Sequence, residues 1–295
     1  MKPSSSQGYL YIIIAACLWS LIGLLMRTLH DEFGLDALTL AFLRASIAAT
    51  ISFTGLALFR RELLRVTRRD LGVFALYGLF GIALFYWTYT QAIIQTSVTL
   101  AVVLLYTAPA FVSLMAWRLW NEPLTARKLL ALALAFGGCA LVARAYDATA
   151  LRLNWIGIGF GVGAGFTYAL FTVFSKQVGK QFAPFTALTY ELLFGAAFLA
   201  FVQTPSDFAP LLAQPTAWIF LLALVFGPTL GAIWFFTAGL RSVPASNASI
   251  LATIEPVLAS GIAFVALGER LEPLQLLGGA MVVGGVIGLN LGRAS

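Results

Sequence analysis

Ten apolar runs follow one another along the chain, near 9–29, 36–59, 71–92, 97–119, 125–143, 154–176, 184–203, 216–239, 246–267 and 273–291. One helix needs about 20 such residues to cross the hydrocarbon core of a bilayer. Hydrophobic residues fill 60% of the 295 positions and charged residues 10%, whereas a soluble domain carries roughly 25% charge. A chain this poor in polar groups cannot cover its own surface in water, so lipid is its main solvent. Open strands would leave unpaired backbone groups in lipid, and each run is therefore expected to be helical. The expected fold is an all-α integral membrane protein of ten transmembrane helices with short loops and no separate soluble domain. The run that starts at Tyr9 is too long for a cleaved leader and lacks a small-residue cleavage site. It reads as a first helix that stays.

Basic residues set the expected orientation. If the runs alternate sides, one side collects thirteen Lys and Arg residues, from Lys2 through the Arg60–Arg69 loop to Arg293. The other side receives four, Arg27, Arg144, Arg152 and Arg270. The positive-inside rule then puts both termini in the cytoplasm, which suits a multi-pass protein of the inner membrane. The net charge of +6 is thus a topology signal. Its residues are spread over loops and do not form the clustered basic face of a nucleic-acid reader.

The two halves match. A shift of 147 positions lays Tyr106-Thr107-Ala108-Pro109 over Thr253-Ile254-Glu255-Pro256, Glu122 over Glu269, Gly137-Gly138 over Gly284-Gly285, and Trp87 over Trp234. It also pairs Arg44 with Glu191. Residues 1–145 and 150–295 therefore read as two five-helix repeats. An odd number of spans makes the second repeat enter from the opposite face, so the repeats are expected to be inverted. That architecture recurs in secondary transporters, with substrate held near the midplane between the repeats.

The pattern of Pro, a dozen residues, then Gly-Glu-x-Leu and a glycine-rich helix resembles the drug/metabolite transporter superfamily, in its ten-helix form with two EamA-type repeats. Glu255-Pro256 with Gly268-Glu269-Arg270-Leu271 and Gly284-Gly285 carries the match. The first repeat departs from it, with Asn121 in place of the usual Gly and Ala108 where the second repeat has Glu255. In size and aromatic content the chain is most similar to amino-acid exporters of the YddG type. The resemblance implies export of amino acids, aromatic ones included; drugs or other small metabolites are the alternative substrates.

Several residues are candidates for that chemistry. Pro109 and Pro256 each remove a backbone donor inside a span, which suits paired hinges, although a single proline can equally serve as a packing kink. Glu255 falls about 14 Å into its span, where an ionisable group is costly and functional by default. With Asn247 and Leu251 it marks one helical face, and it could receive an ammonium group or a proton, or act as a structural staple. Arg44 and Glu191 could gate the two mouths, pair with each other, or serve structure alone. Trp19, Tyr86, Trp87, Tyr106, Tyr168 and Trp234 are candidates to line a cavity and offer cation–π faces, against packing or lipid exposure for each. Glu122 and Glu269 read as helix-end caps, and Arg118 and Lys176 as snorkelling side chains.

Other classes find little support. The string Gly159-x-Gly161-x-x-Ala164 lies inside an apolar span with no preceding strand, so it reads as packing, as do the faces Gly157/Gly161/Gly165 and Gly284/Gly288/Gly292. Cys17 and Cys139 read as small buried hydrophobes. His30 has no metal-ligand partner at useful spacing, and no Ser/His or paired-Asp constellation suggests an enzyme. A channel or scaffold stays open. No cofactor or metal is expected. The expected partners are a small-molecule substrate, membrane lipid and protons as a candidate coupling ion, with no nucleic acid; a monomer or weak dimer is expected.

Overall fold

A computed structural model describes residues 3–290 except Arg152 and Glu269. Lys2, Arg152, Glu269, Gly292 and Arg293, all used above, lie outside the described residues. Within them the regular structure is helical, with no strand. The helical stretches are α1 (Ser5–Asp31), α2 (Ala37–Phe59), α3 (Arg68–Gln95), α4 (Val98–Trp120), α5 (Ala126–Val142), α6 (Trp155–Val178), α7 (Pro184–Ala200), α8 (Ala217–Leu240), α9 (Ala245–Ala266) and α10 (Pro273–Asn290). Seven of them, α1–α4, α6, α8 and α9, are long and apolar enough to cross a membrane by themselves. The other three are shorter than the sequence suggested, at 17 residues for α5 and α7 and 18 for α10. Caps set some of these limits. Thr125 accepts from Lys128 N at the start of α5, and Pro184 is preorganised for the first turn of α7.

The halves share their irregularities as well as their motifs. The ends of α4 and α9 carry left-handed caps at matched positions, Asn121 (φ 53°) and Gly268 (φ 67°). Asn is the side chain that best tolerates this conformation after Gly, which explains its place in the first repeat. Both helices are also broken midway. α4 resumes at Ala108 after Tyr106-Thr107, and α9 at Glu255 after Thr253-Ile254. In each break the ladder tightens to i→i−3 bonds, with Thr107 N on Leu104 O (3.1 Å) and Ile254 N on Leu251 O (3.2 Å). Widened π-helical turns lie at overlapping matched positions, Leu79–Leu84 in α3 and Val225–Gly231 in α8. Pro228 cannot bond the carbonyl of Leu224; the Thr229 hydroxyl takes that role at 2.9 Å. The symmetry is incomplete, because α1 breaks at Ser20-Leu21 whereas α6 runs unbroken.

Helices of one half pack on helices of the other. A Cβ on Gly138 of α5 would meet Gly278 O of α10 at 2.6 Å, and a Cβ on Gly285 would meet Ala131 O at 3.2 Å. Residue numbers on one helix fall as those on the other rise, so α5 and α10 run antiparallel. Gly8 of α1 likewise packs on Gly239 and Leu18 on Gly231 of α8. The α3–α6 pair repeats the arrangement, with Gly81 on Phe171 and Gly157 on Gln95. In lipid, such close approach of small residues supplies the packing that hydrophobic burial supplies in water. Gly157, Gly161 and Gly165 form the expected seam, against Thr96, Leu104 and Thr107. Gly284 and Gly288 do not, since nothing lies within 4 Å of a Cβ at either; α10 turns Gly278 and Gly285 inward instead. Cys17 is exposed on the outer face of α1, contrary to expectation, while Cys139 is buried.

Candidate functional site

Two ends of the bundle can be distinguished by bonds between elements. The proximal end holds the start of α1, where Ser242 after α8 bonds Ser4 O, and the start of α7, where Thr186 bonds Leu63 O at 2.9 Å. The distal end holds Thr39 and Gln203 (3.1 Å), and Glu272, which accepts from Arg144 (2.5 Å) and Tyr146 (2.6 Å). Between the ends, the bundle interior carries few charges.

Arg44 and Glu255 are the central pair. Arg44 reaches inward from α2 and is 5% exposed. Its guanidinium donates to the Tyr86 hydroxyl and lies 4.7 Å from that ring's centroid. Glu255 is half-buried and is the first residue of α9 after the break, where the partial positive charge of the half-helix N-terminus favours a carboxylate. Electrostatic interactions link it to Arg44, Tyr89, Tyr106, Tyr168 and Cys139. Yet it makes no direct ion pair or hydrogen bond among the described residues. A cation and an anion thus lie within electrostatic reach of each other without pairing. Aromatic rings cluster around the two charges. Phe85 stacks on Tyr89 and Tyr168, and Trp19 meets Tyr168 edge-on at 6.4 Å. Beside the α4 break, a crevice of about 250 Å³ runs between Tyr106, Pro109, Ala110, Leu132 and Phe136.

The sequence candidates divide accordingly. Trp19, Tyr86, Tyr106, Tyr168, Arg44 and Glu255 come together, and Pro109 and Pro256 each sit in the first turn after a break. Trp87 does not join them; it is 37% exposed and packs edge-on against Phe160 of α6. Trp234 also lies elsewhere, among Tyr11, Phe185 and Phe235. Asn247 bonds the Tyr9 hydroxyl at 3.1 Å near the proximal end, because the break at Thr253-Ile254 interrupts the helical phase that would align it with Glu255. Glu191 does not pair with Arg44. It lies fully buried near Tyr77, Ser175 and Thr237. Tyr89 was not singled out from the sequence as a lining residue, since nothing in an apolar span marks which aromatic turns inward. Among the described residues, no group of three His, Cys, Asp or Glu could hold a metal ion.

The two ends are packed differently. At the proximal end every residue of Ala245–Ala252 is buried, and the Glu122 carboxylate clamps this segment. It accepts from Ala245 N (2.8 Å) and Ser246 N (3.2 Å) and from the Ser246 hydroxyl. Lys128 adds a 2.8 Å bond to Ser246. Glu122 therefore caps α9, a different helix from the one it ends. Lys176 does not snorkel; it donates to Leu240 O (2.6 Å) and Val243 O (2.5 Å) beyond α8. Towards the distal end the packing loosens. Val98–Leu105 buries only Ala101 and Val103, and from Glu255 to Ala266 only Pro256 is buried. The start of α9 is closely packed at the proximal end, where a pocket of about 270 Å³ still opens between Arg69, Phe74, Gln177 and Phe182, and the distal half of α9 stands loosely packed.

Comparisons with known proteins agree with this architecture. The model of the EamA-like transporter family matches twice, over residues 6–144 and 155–291. An uncharacterized transporter of Archaeoglobus fulgidus is 31% identical over 282 residues, covering 95% of each chain. A probable terminal-alkyne amino-acid exporter of Streptantibioticus cattleyicolor is 27% identical, over 98% of this chain and 96% of its own. A solved crystal structure superposes with a TM-score of 0.83 over 99% of both chains at 19% identity, a likeness of fold. Two tandem matches that together span most of the sequence decide the family: the chain is a multi-pass membrane protein of the EamA-like transporter family.

Proposed function

We propose that the protein is a secondary transporter that exports small zwitterions, amino acids including aromatic ones, across the inner membrane by alternating access. The observation that carries this reading is the Arg44–Glu255 pair. An amino acid presents a carboxylate to Arg44 and an ammonium to Glu255, and so satisfies two charges that the protein leaves unpaired. Tyr86, Tyr89, Tyr106, Tyr168 and Trp19 offer ring faces to the side chain and to the ammonium. Export is supported by the relative named a probable amino-acid exporter.

In this reading all ten helical stretches cross the bilayer, and residues 1–145 and 150–295 are inverted repeats. The antiparallel packing of α5 on α10 supports the inversion. The breaks before Pro109 and Pro256 are the hinges. Thirteen of seventeen basic loop residues then lie in the cytoplasm with both termini, so the proximal end is cytoplasmic and the loosely packed distal end outward. Counterflow of labelled amino acids in proteoliposomes tests the reading: a carrier accelerates exchange saturably when unlabelled substrate is inside, and a channel does not. Absence of counterflow with every amino acid of a full panel would remove the substrate class. Labelling of a cysteine at position 65 by an impermeant reagent from outside intact cells would overturn the orientation.

A further inference from the structure

Glu191 takes no part in the central pair, yet it is the most confined charged side chain among the described residues. Its residue is 0% exposed, and neither carboxyl oxygen makes a well-formed hydrogen bond, although the Tyr77 hydroxyl interacts with the carboxyl. Among the described residues no cation forms an ion pair with it. From α3 comes Tyr77, whose hydroxyl sits beside the carboxyl but is shared with Ser175 of α6. From α8 comes Thr237, whose own hydroxyl is buried without a partner. Arg241, one turn further along, forms no ion pair with Glu191 among the described residues, and Lys176 of α6 is held by Leu240 O and Val243 O. From α2, Ala45, Ala48 and Ala49 join Ala187, Leu188 and Leu192 of α7 in one apolar cluster, while Arg44 turns to Tyr86. The backbone is equally tight. A Cβ on Gly78 of α3 would fall 2.8 Å from Glu191 O.

An isolated carboxylate in such a place is so costly that the group takes up a proton instead. Glu191 begins the third turn of α7, counted from the proximal end, so opening that end would let water reach it. We propose that Glu191 is a proton-binding site that locks the proximal end: it is protonated while that end is sealed and releases the proton to the same side when it opens. One O–H bond breaks, and the proton passes to proximal water. Reclosure takes one proton back from that side. The site therefore biases the gate without carrying protons across. Because opening releases a proton, higher pH on the proximal side favours the open state, by up to about tenfold in the open-to-closed ratio per pH unit. The compact cluster favours a proton over a metal cation as the ligand.

The proposal rests on the alternating-access reading, but its central claim can be measured without transport. Infrared spectra of the purified protein in lipid at neutral pH should contain the carbonyl stretch of a protonated, dehydrated carboxyl. That band should vanish in Glu191→Gln, which keeps size and neutrality. An unchanged band in this variant overturns the proposal. If Glu191→Gln fails to fold, Tyr77→Phe keeps the ring packing and removes the hydroxyl beside the carboxyl, so the same band must shift; no shift overturns it equally. In proteoliposomes, exchange by the wild type should rise with proximal pH and lose that dependence in Glu191→Gln. A pH response retained by the variant, or a wild-type response to sodium in place of pH, overturns the lock. If no substrate exchanges at all, the transport reading fails while the infrared band still decides the proton.

Discussion

Arg44 and Glu191 occupy matched positions in the two repeats, and the protein treats them in opposite ways. Arg44 is engaged by one aromatic hydroxyl and faces a carboxylate it does not touch, next to a loosely packed half-helix. Glu191 is enclosed by apolar side chains and three hydroxyl-bearing residues, with no well-formed hydrogen bond to its oxygens. The same backbone position thus carries a cation bonded to one aromatic hydroxyl in one repeat and an enclosed carboxyl in the other. The contrast follows the packing of the ends. Ala245–Ala252 is wholly buried beneath the Glu122 clamp, whereas beyond Glu255 the same helix buries one described residue, Pro256. Repeats that are alike in sequence thus differ in how tightly their matched segments pack.

The strongest way to break this comparison is Arg44→Gln. In the proposed reading Arg44 pairs with the substrate carboxylate, and removing one member of a buried charge pair costs about 3–5 kcal/mol, so amino-acid counterflow should fall by at least about a hundredfold. Wild-type exchange in this variant would take substrate recognition away from the central pair. Glu255→Gln keeps size and hydrogen bonding and removes the charge. A charged hydrogen bond is worth about 1.5–3 kcal/mol, so a loss of about ten- to a hundredfold is expected, larger for zwitterions than for substrates lacking an ammonium. Equal losses for both would make Glu255 a staple.

Packing predictions sharpen the same contrast. Gly138→Ala forces a methyl group against Gly278 O and should destabilise the protein by about 1–3 kcal/mol, read from thermal unfolding in detergent. Gly284→Ala, at an open position, should stay within about 0.5 kcal/mol. If the two variants melt alike, the α5–α10 seam is wrong. Trp87→Leu is expected to have the smallest effect, less than about a twofold change in exchange, because that ring faces outward against Phe160. A large loss of exchange would return Trp87 to the cavity.

Much of the architecture was legible in the residues. Apolar runs separated by caps and charges identify the helices, since lipid tolerates no other backbone that satisfies its own hydrogen bonds. Pro109 and Pro256 mark the breaks because proline supplies no donor, and Asn121 substitutes for Gly at a left-handed cap for a stereochemical reason local to one residue. These are properties of the chain and its immediate neighbours. Which face of each helix turns inward is a different matter. In water, a polar face and an apolar face disclose the inside of a helix; in lipid both faces are apolar, so Trp87, Trp234 and Tyr89 look alike in sequence. Only the tertiary packing sends Tyr89 to the central pair and the two tryptophans away from it. The same holds for Asn247, separated in phase from Glu255 by the break between them, and for Glu191, whose isolation depends on four helices meeting around it. The sequence determined where the helices run and where Pro109 and Pro256 break them; the packing of one helix on another decided which of their side chains come together.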